Sequence, residues 1–396
     1  MQLENYASGQ WVSGSGKQAD LIDAITGDLI GTTSSGGLDF AHMLHYARTV
    51  GGPPLRKMTF PERGRMLKAL AQYLFDRKDK YYEISYRTGA TKADSWVDIE
   101  GGIGNLFANA SLRRVLGNMP FYVDGDAVKT SKGGTFIGHH IMVPKEGVAV
   151  HINAFNFPIW GMLEKVAVNW MAGVPAVVKP ATVTSYLTEA MVKDIIASGI
   201  LPEGAIQLIV GSAEGLLDTV TSQDVVTFTG SASTGRMLKK HPRIVDESVP
   251  FNMEADSLNA IVLGPDAVPG TEEFDLFIKE VGKEMTLKCG QRCTGARRIM
   301  VPANVLEDVQ IAIGKRLGGT VIGDPRVDGV RMGALAGQAQ RNEVKRALDE
   351  LLKGSQIVYG SADSVDVRGA DAAKGAFMSP ILLLNADPWK NQQSHN

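Results

Sequence analysis

Short apolar runs rich in β-branched residues alternate with amphipathic segments along the chain from Gly147 onward. The apolar runs are GVAVHIN, VPAVVK, AIQLIVG and DVVTF. The segments between them include IWGMLEKVAVNWMAG and LTEAMVKDIIASG, in which apolar side chains recur at the spacing of one helix face. This alternation is typical of a parallel sheet that is covered by helices on both faces. We therefore predict a doubly wound α/β domain for this part of the chain.

The regions on either side carry different patterns. Apolar side chains from Phe60 to Arg87 recur at helical spacing, and Pro61 suits a first helical turn, so this region is predicted to be helical. The stretch VKTSKGGTFIGHHIMV alternates in polarity and contains glycines, which favours an antiparallel hairpin. From about Ala260 a second α/β segment is predicted, with helices at FDLFIKEVGKEM and QRNEVKRALDELLKG and a strand at RRIMV.

Composition narrows the class of protein and its partners. At 396 residues the chain exceeds the size at which one hydrophobic core usually stops growing, so we expect two or more domains. The net charge is -2 and no long run of like charge occurs, which favours small-molecule partners over nucleic acid or a membrane. There is no signal-like start and no apolar stretch of about 18 residues, so we expect a cytoplasmic protein.

Cys293, within Gly-Gln-Arg-Cys-Thr, is the first candidate for chemistry. A thiol attacks as the thiolate and needs a base or a positive field nearby, whereas an isolated cysteine is most often a buried apolar residue. The carboxylate cluster MEADSLN, which contains Glu254, offers such a base and favours the nucleophile. Cys289 is expected to be a packing residue. The two cysteines lack further ligands at zinc spacing, so no metal site is expected.

Three strand ends carry residues that suit a nucleotide or an oxyanion. Gly230, Ser231 and Gly235 follow the run DVVTF and open a helix, where a pyrophosphate can approach the backbone, although an ordinary helix cap fits equally well. Lys179 ends another strand and can bind ribose hydroxyls or phosphate, but a solvated lysine is the simpler interpretation. Asn156 follows a third strand and can donate to an oxyanion, although loop asparagines more often bond their own backbone.

Five motifs follow one another in a characteristic order: Asn-Phe-Pro, Lys-Pro, Phe-Thr-Gly-Ser-x-x-x-Gly, Glu-Ala-Asp-Ser-Leu-Asn and Gly-Gln-x-Cys-Thr. In this order they resemble the aldehyde dehydrogenase superfamily. Longer stretches such as HINAFNFPIWGMLEK are similar to one branch of it, the dehydrogenase portion of the bifunctional phenylacetate-degradation protein. Members of that branch oxidise CoA-bound semialdehydes from aerobic degradation of phenylacetate or benzoate. The resemblance implies that this chain oxidises an aldehyde of that kind to the carboxylic acid.

The resemblance also implies a role for each motif residue. Cys293 would attack the aldehyde, and its own backbone N–H and the Asn156 side chain would hold the resulting oxyanion. Glu254 would activate the water that hydrolyses the thioester, and an apolar setting can raise the pKa of such a carboxylate. The residues that map to cofactor contacts are Lys179, Thr182, Gly230, Ser231 and Gly235.

Thr182 bears on the choice of cofactor. Many members that prefer NAD carry a glutamate at this position, where it binds the adenosine ribose hydroxyls. A carboxylate there would repel a 2'-phosphate, whereas threonine would not. NADP is therefore expected in preference to NAD.

The resemblance further implies a division of the chain. Residues 1–125 and 147–255 would form an NADP-binding domain, residues 126–146 an oligomerisation hairpin, and residues 256–396 an α/β catalytic domain, with homo-oligomers as in intact relatives. The family's Glu-x-Phe-Gly-Pro segment would fall after Asn396, so the catalytic domain is expected to be incomplete. Two hypotheses follow: an active NADP-dependent semialdehyde dehydrogenase, or a truncated member that at most binds nucleotide. A cysteine hydrolase without cofactor ranks below both.

Overall fold

The chain forms two compact units in a computed structural model that describes residues 1–387 and 389. The first unit comprises Met1–Leu21, Gly31–Tyr81 and Val97–Ala255, and the second comprises Ile22–Ile30, Tyr82–Trp96 and the remainder from Asp256. The division expected from the sequence, at 1–125 with 147–255, 126–146 and 256–396, stays a prediction. Its last residues, 390–396, lie outside the described part of the chain.

The described residues form both strands and helices in each unit. The strands are β1 (Glu4–Ala7), β2 (Gln10–Ser13), β3 (Ala19–Ile22), β4 (Leu29–Thr33), β5 (Tyr122–Lys129), β6 (Ile137–Met142), β7 (Ala149–Ile152), β8 (Ala176–Lys179), β9 (Ile206–Leu208), β10 (Val225–Gly230), β11 (Phe251–Ala255), β12 (Ala260–Val262), β13 (Arg298–Met300), β14 (Gln356–Tyr359) and β15 (Leu382–Leu384). The α-helices are α1 (Phe40–Tyr46), α2 (Gly52–Lys57), α3 (Phe60–Phe75), α4 (Lys78–Ser85), α5 (Lys92–Trp96), α6 (Gly102–Ser111), α7 (Pro158–Met171), α8 (Ser185–Ala197), α9 (Ala232–Lys239), α10 (Pro242–Asp246), α11 (Glu272–Thr286), α12 (Leu306–Gly318) and α13 (Gln338–Leu351).

A seven-stranded sheet organises the first unit, in the order β11-β10-β7-β8-β9-β1-β2. The five strands from β11 to β9 are parallel, which confirms the predicted doubly wound core. β1 and β2 extend it as an antiparallel hairpin that the sequence analysis did not predict. Ser8 and Gly9 form its turn with φ of 50° and 81°. The dipeptide Ser-Gly is a turn signal that is visible in the sequence and indicates where the hairpin reverses.

Helix α3 confirms the predicted helical region, and a capping box and a buried arginine stabilise it. It begins at a capping box, in which the Thr59 hydroxyl accepts from the Glu62 N–H and the Glu62 carboxylate accepts from the Thr59 N–H at 2.7 Å. Arg63 in its first turns is 0% exposed and donates to four backbone carbonyls, those of Leu55, Arg56, Pro120 and Met171. Burial lowers the pKa of Arg63 to about 10, so the guanidinium remains charged near neutral pH.

Each unit has its own hydrophobic core. In the first, Val150, Val177 and Val226 of the central strands pack with Leu44 of α1 and Ile244 of α10. In the second, one cluster joins α11 and α12 through Phe277, Val281 and Ile313. A second cluster there surrounds Leu335 and Phe377. The predicted helices and strand after Ala260 are confirmed as α11, α13 and β13.

The antiparallel hairpin predicted between Val128 and Val143 is present as β5 and β6, but it begins earlier, at Tyr122. Large apolar side chains on it are exposed, among them Val123, Val128, Ile137 and Ile141. In the described part of the chain, no helix is both long and apolar enough to cross a lipid bilayer.

A buried histidine lies between the sheet and α7. His151 of β7 is 2% exposed, and its ring nitrogens lie 2.8 Å from Thr227 Oγ1 and 2.7 Å from Asn169 Oδ1. Because Asn169 donates its Nδ2 to the Val174 carbonyl, its Oδ1 must accept from the Nε2–H of His151. Burial lowers the pKa of His151 from 6.5 to about 4, so the ring is neutral at physiological pH.

We predict that His151 makes the fold acid-sensitive. Its pKa is lower in the folded chain than in the unfolded chain, so its contribution is fully present above pH 6.5 and is lost as the pH falls towards 4. The loss amounts to about 3 kcal/mol. Urea unfolding between pH 7 and pH 4 should therefore show a shallower pH dependence for His151→Gln than for the parent. His140→Gln, at an exposed position of β6, is the control, and equal slopes for parent and His151→Gln would contradict the assignment.

Candidate active site

The carboxyl ends of four parallel strands define one row of residues in the first unit. The register pairs Ile152 with both Lys179 and Phe228, and Phe228 with Met253. The next residues along β7, β10 and β11 are Asn153, Thr229 and Glu254. Three strand spacings separate β8 from β11, or about 14 Å. The structure therefore brings these predicted strand-end residues to one edge of the sheet, where ligands bind in open α/β proteins.

Asn156 lies in the segment between β7 and α7, and the start of α7 is fixed by a buried carboxylate. Oδ1 of Asp98 accepts from the backbone N–H groups of Ile159 and Trp160 at 3.0 and 2.8 Å. Asp98 thus satisfies the first turn of α7, for which Phe157 offers no side-chain cap. Pro158 occupies the first helical position. Half-buried Asn156 is held two residues before this fixed helix end.

Lys179 and Asn153 lie next to each other where β8 and β7 end. The Asn153 N–H donates to the Lys179 carbonyl at 2.9 Å. Burial lowers the pKa of Lys179, and no carboxylate among the described residues pairs with its ammonium. The Asn153 side chain is 4% exposed, and neither of its amide atoms has a partner within the described structure. Buried amide groups without partners cost about 1–3 kcal/mol each, so this corner is suited to a polar ligand.

Thr182 begins a single 3-10 turn, Thr182–Thr184, that leads from β8 into α8. Its carbonyl accepts from the Ser185 hydroxyl at 2.8 Å. The Thr184 hydroxyl donates to the Phe155 carbonyl at 3.2 Å, which ties this turn to the segment that carries Asn156. Thr182 is half-buried at the same edge of the sheet as Lys179.

The segment Gly230–Gly235 combines a helix cap with close packing. Ser231 caps α9, and its hydroxyl accepts from the Thr234 N–H at 3.3 Å. A Cβ on Gly230 would lie 2.6 Å from the Phe228 ring, and one on Gly235 would lie 2.4 Å from the Met253 sulfur. A side chain at either position would therefore displace a neighbouring side chain, and close packing is the role of one glycine in dinucleotide-binding turns. The cap leaves the N-terminal end of α9 at the same strand edge.

Glu254 lies on β11, at one edge of the seven-stranded sheet. Its neighbour in the register is Thr229 of β10. The residue is exposed, so within the first unit it does not have the apolar setting expected from the sequence. β11 is the terminal strand of the sheet, and only its first and last residues, Phe251 and Ala255, are partly buried, so the three residues between them are accessible.

The chain before Cys293, in the second unit, contains a left-handed turn. Lys288, Cys289 and Gly290 have φ of 51°, 54° and 70°. For residues other than glycine this conformation costs about 1–2 kcal/mol each. Such strain persists only where neighbouring contacts impose it, and it is frequent at functional sites.

Asp94 supplies the contact that imposes the turn. Its Oδ1 accepts from the Lys288 N–H at 2.7 Å, and its Oδ2 accepts from the Thr91 N–H and hydroxyl. The buried Lys288 side chain donates to the Thr88 hydroxyl at 3.2 Å. Each oxygen of the Asp94 carboxylate therefore has a defined partner, and the turn is fastened to the segment Thr88–Asp94.

The Glu-Ala-Asp-Ser-Leu-Asn motif contacts the nucleophile loop through its last residues. Nδ2 of Asn259 donates to the Cys293 carbonyl at 2.7 Å, and the Ser257 hydroxyl donates to the same oxygen. The Asn259 carbonyl accepts from the N–H groups of Arg297 and Arg298 at 2.8 and 3.1 Å. The Cys293 residue itself is exposed. The motif thus supports the backbone on the C-terminal side of an accessible thiol.

Three charged side chains surround this loop. Arg297 donates from Nη1 to the Gly290 carbonyl at 2.6 Å and from Nη2 to the Arg292 carbonyl at 3.0 Å. Arg292 forms an ion pair with Glu284 at 2.7 Å. Burial alone would raise the pKa of Glu284, but hydrogen bonds from Arg292 and the Ala296 N–H lower it. Burial lowers the pKa of Arg297, as does Arg292, whereas Cys293 and Glu284 act in the opposite direction.

Cys289 differs from Cys293 in its surroundings. It packs against the hydrophobic cluster around Leu335 and Phe377. Burial, and next the charge of Asp94, raise its pKa to about 12. This agrees with the packing role expected for Cys289, since a protonated thiol is a poor nucleophile.

We predict that the two thiols react at very different rates. Near neutral pH, a pKa of about 12 rather than 9.0 reduces the thiolate fraction of Cys289 by about a thousandfold. Iodoacetamide should therefore modify Cys293 in the native protein and leave Cys289 intact, which peptide mass spectrometry measures. The urea-unfolded chain is the control, in which both thiols should react, and equal labelling in the native state would refute the difference.

Sequence reasoning found the strand-end residues and the thiol but missed several supporting side chains. Asp94 has a partial signal, since Thr-x-x-Asp at Thr91 is a capping pattern. Arg297 has none, because an arginine before a strand is most often a solvated residue. Asn153 ends the apolar run GVAVHIN, and its burial is visible only in the fold.

The described residues contain no cluster of three or more His, Cys, Asp or Glu side chains that could bind a metal ion. For a nicotinamide dinucleotide the fit is good at the sheet edge. The backbone of Asn153, whose side-chain amide has no partner among the described residues, is hydrogen-bonded to that of Lys179, and the end of α9 at the same edge suits a phosphate.

Comparisons with known proteins identify the family of the chain. A model described as the aldehyde dehydrogenase family matches residues 11–393. A 3,4-dehydroadipyl-CoA semialdehyde dehydrogenase of Aromatoleum evansii is 44% identical over 384 residues, which cover 97% of this chain and 75% of the relative. A putative aldehyde dehydrogenase of Staphylococcus haemolyticus is 26% identical over 97% of this chain and 77% of its own.

Solved structures share the fold at low identity. Betaine aldehyde dehydrogenase from Staphylococcus aureus, in complex with NAD+, superposes with a TM-score of 0.85 at 20% identity, over 99% of this chain and 75% of that one. A 3,6-anhydro-L-galactose dehydrogenase in complex with NADP superposes with a TM-score of 0.85 at 20% identity, over 98% of this chain and 78% of that one. The motif order, the fold and the family match lead to one conclusion: the chain belongs to the aldehyde dehydrogenase family.

Proposed function

We propose that this chain oxidises a CoA-bound semialdehyde from aerobic aromatic degradation to the carboxylic acid, with NADP as the hydride acceptor. The observation that carries the proposal is the exposed Cys293 thiol on a loop held by the Glu-Ala-Asp-Ser-Leu-Asn motif. The substrate class follows from the relative at 44% identity, whose name specifies 3,4-dehydroadipyl-CoA semialdehyde.

The first step is addition of the Cys293 thiolate to the aldehyde carbon. A carbon–sulfur bond forms, and the electron pair of the carbonyl moves onto oxygen. We assign stabilisation of this oxyanion to the Asn156 side chain and to the Cys293 N–H, since donors placed at a developing charge are among the largest contributions to catalysis. The charge stays on oxygen until the carbon is oxidised.

Oxidation leaves an acyl group on the thiol. A bound nicotinamide supplies the acceptor for the hydride that leaves the former aldehyde carbon. Glu254 then takes a proton from water, whose oxygen attacks the thioester, and the carbon–sulfur bond breaks to release Cys293 as thiolate. The balance is aldehyde, water and oxidised cofactor giving acid, reduced cofactor and a proton. Exposed Glu254 is accessible to that water.

The preference for NADP is supported by the charges at the strand edge. Lys179 offers a cation without a carboxylate partner among the described residues, and Thr182 adds no negative charge beside it. The negative charge of a 2'-phosphate is attracted by Lys179 and is not repelled by Thr182. We assign Lys179, Thr182, Gly230, Ser231 and Gly235 to the cofactor site.

We further propose that the β5–β6 hairpin, which begins at Tyr122 and overlaps the predicted segment 126–146, is an oligomerisation arm. Its exposed apolar side chains, including Val128, Phe136 and Ile141, are of the kind that a second copy would cover. The assignment of residues 1–125 and 147–255 to NADP binding and of residues 256–396 to catalysis belongs to the same proposal.

The proposed reaction is tested by following NADPH absorbance with 3,4-dehydroadipyl-CoA semialdehyde as substrate. We expect kcat/KM to be at least about tenfold higher than for the same semialdehyde without CoA, a difference of about 1.4 kcal/mol. Faster oxidation of the free semialdehyde would contradict the substrate class, and no NADPH from either would contradict the reaction.

Two variants serve as controls for this assay. Cys293→Ala should abolish NADPH formation, because no other accessible thiol replaces it. Glu254→Gln should still give a first turnover and then a slow phase, since an amide cannot take a proton from water. Loss of the first turnover as well would assign Glu254 to an earlier step.

We predict that Thr182→Glu reverses or abolishes the preference for NADP. The new carboxylate repels a 2'-phosphate and can bind ribose hydroxyls, so the ratio of the two dissociation constants should change by at least about tenfold. Calorimetric titration of both nucleotides measures it without any turnover.

Ala197→Glu, at the exposed far end of α8, adds the same charge away from the strand edge and should leave the ratio unchanged. An unchanged ratio in Thr182→Glu would reject the role of this position.

A further inference from the structure

The peptide bond between Arg292 and Cys293 has its carbonyl held by a guanidinium. Nη2 of Arg297 donates to the Arg292 carbonyl at 3.0 Å, while Nη1 donates to the Gly290 carbonyl at 2.6 Å. The two nitrogens belong to one rigid, planar fork. The two carbonyls therefore have a fixed separation and direction relative to each other.

The carbonyl of Arg292 and the N–H of Cys293 are parts of the same peptide group. All described peptide bonds are trans, so the two point in opposite directions across one plane. Fixing the carbonyl consequently fixes the direction of the N–H. A charged donor on the carbonyl also polarises the amide, which strengthens its N–H as a hydrogen-bond donor.

The next peptide group is held as well. The Cys293 carbonyl accepts from Asn259 Nδ2 at 2.7 Å and from the Ser257 hydroxyl. The Cα of Cys293 therefore lies between two fixed peptide planes, one held by Arg297 and one by Asn259. A loop that contains two left-handed residues other than glycine, Lys288 and Cys289, would otherwise relax towards commoner conformations.

We propose that Arg297 is a positioning residue, which orients and polarises the Cys293 N–H as an oxyanion donor. This inference rests on the proposed function, in which that N–H binds the oxyanion formed at Cys293. Arg297 acts through the peptide plane and does not itself bind the reacting oxygen. Its contribution is therefore to reactions that develop an oxyanion, and only secondarily to the reactivity of the thiol.

Two cofactor-independent reactions of the same thiol separate these effects. Acetyl transfer from p-nitrophenyl acetate passes through a tetrahedral oxyanion: the sulfur–carbon bond forms, the bond to the aryl oxygen breaks, and p-nitrophenolate leaves with the electron pair. Alkylation by iodoacetamide forms a sulfur–carbon bond and releases iodide without any oxyanion. The ratio of the two rates at Cys293 therefore measures oxyanion stabilisation at constant thiol reactivity.

We expect Arg297→Gln to slow single-turnover acylation by about tenfold or more while alkylation changes by less than about threefold, since loss of a complete oxyanion donor costs about a hundredfold or more. Arg297→Lys should behave similarly, because an ammonium keeps the charge but cannot bridge two carbonyls in a fixed fork. Arg346→Gln, on exposed α13, removes the same charge from the same unit and should change neither rate.

A parallel fall of both rates, or no fall in either, overturns the inference. So does a parent protein whose Cys293 is alkylated but never acylated. Circular dichroism checks the fold, and if Arg297→Gln does not fold, the Arg297→Lys comparison decides. A parent that is acylated normally but oxidises no semialdehyde rejects the proposed function and leaves the role of Arg297 standing.

Discussion

The parallel register of β7, β8, β10 and β11 is the constraint on which the first unit depends. Because these strands run in the same direction, every segment that follows one of them leaves the sheet at the same edge. Residues that are far apart in the chain, such as Asn153 and Glu254, thereby come to lie in one row. A reversal of any one strand would move its terminal residues to the opposite edge.

At this edge of the sheet, buried polar groups lack hydrogen-bond partners within the protein, which raises the free energy of the folded chain. Asn153 is buried with its amide unpaired, and Lys179 has no anionic partner in the described chain. Protein interiors rarely tolerate such groups unless a ligand or water satisfies them. By contrast, the buried His151 and Arg63 have all-protein partners, which marks them as structural.

In the second unit, the exposed thiol of Cys293 lies on a loop that contains two residues, Lys288 and Cys289, in the unfavourable left-handed conformation. Asp94 fastens one end of the loop at Lys288, and Arg297 and Asn259 hold the carbonyls on both sides of Cys293. None of these contacts touches the sulfur. They act on the peptide groups, whose planarity transmits the position of a carbonyl to the N–H on the other side of the same bond.

The sequence by itself determined the elements and the candidate chemistry. Periodicity identified β7 to β10, α7, α8 and α11. A strand or a helix that buries one face has apolar residues at the spacing of that face, and this spacing is visible in the sequence. The motif order identified Cys293, Glu254, Asn156 and the strand-end residues as candidates. The hairpin β1–β2 escaped because four-residue strands carry too little pattern.

Only the tertiary structure decided which side chains support the candidates. Asp94 is almost two hundred residues from Lys288 in the chain, and Asn153 and Arg297 look like ordinary loop residues in the sequence. The spacing of apolar residues within a segment indicates which face of that segment is buried. A hydrogen bond from Arg297 to a carbonyl, or the absence of a partner for a buried amide, depends on what other segments bring to the same place, and no local pattern encodes that.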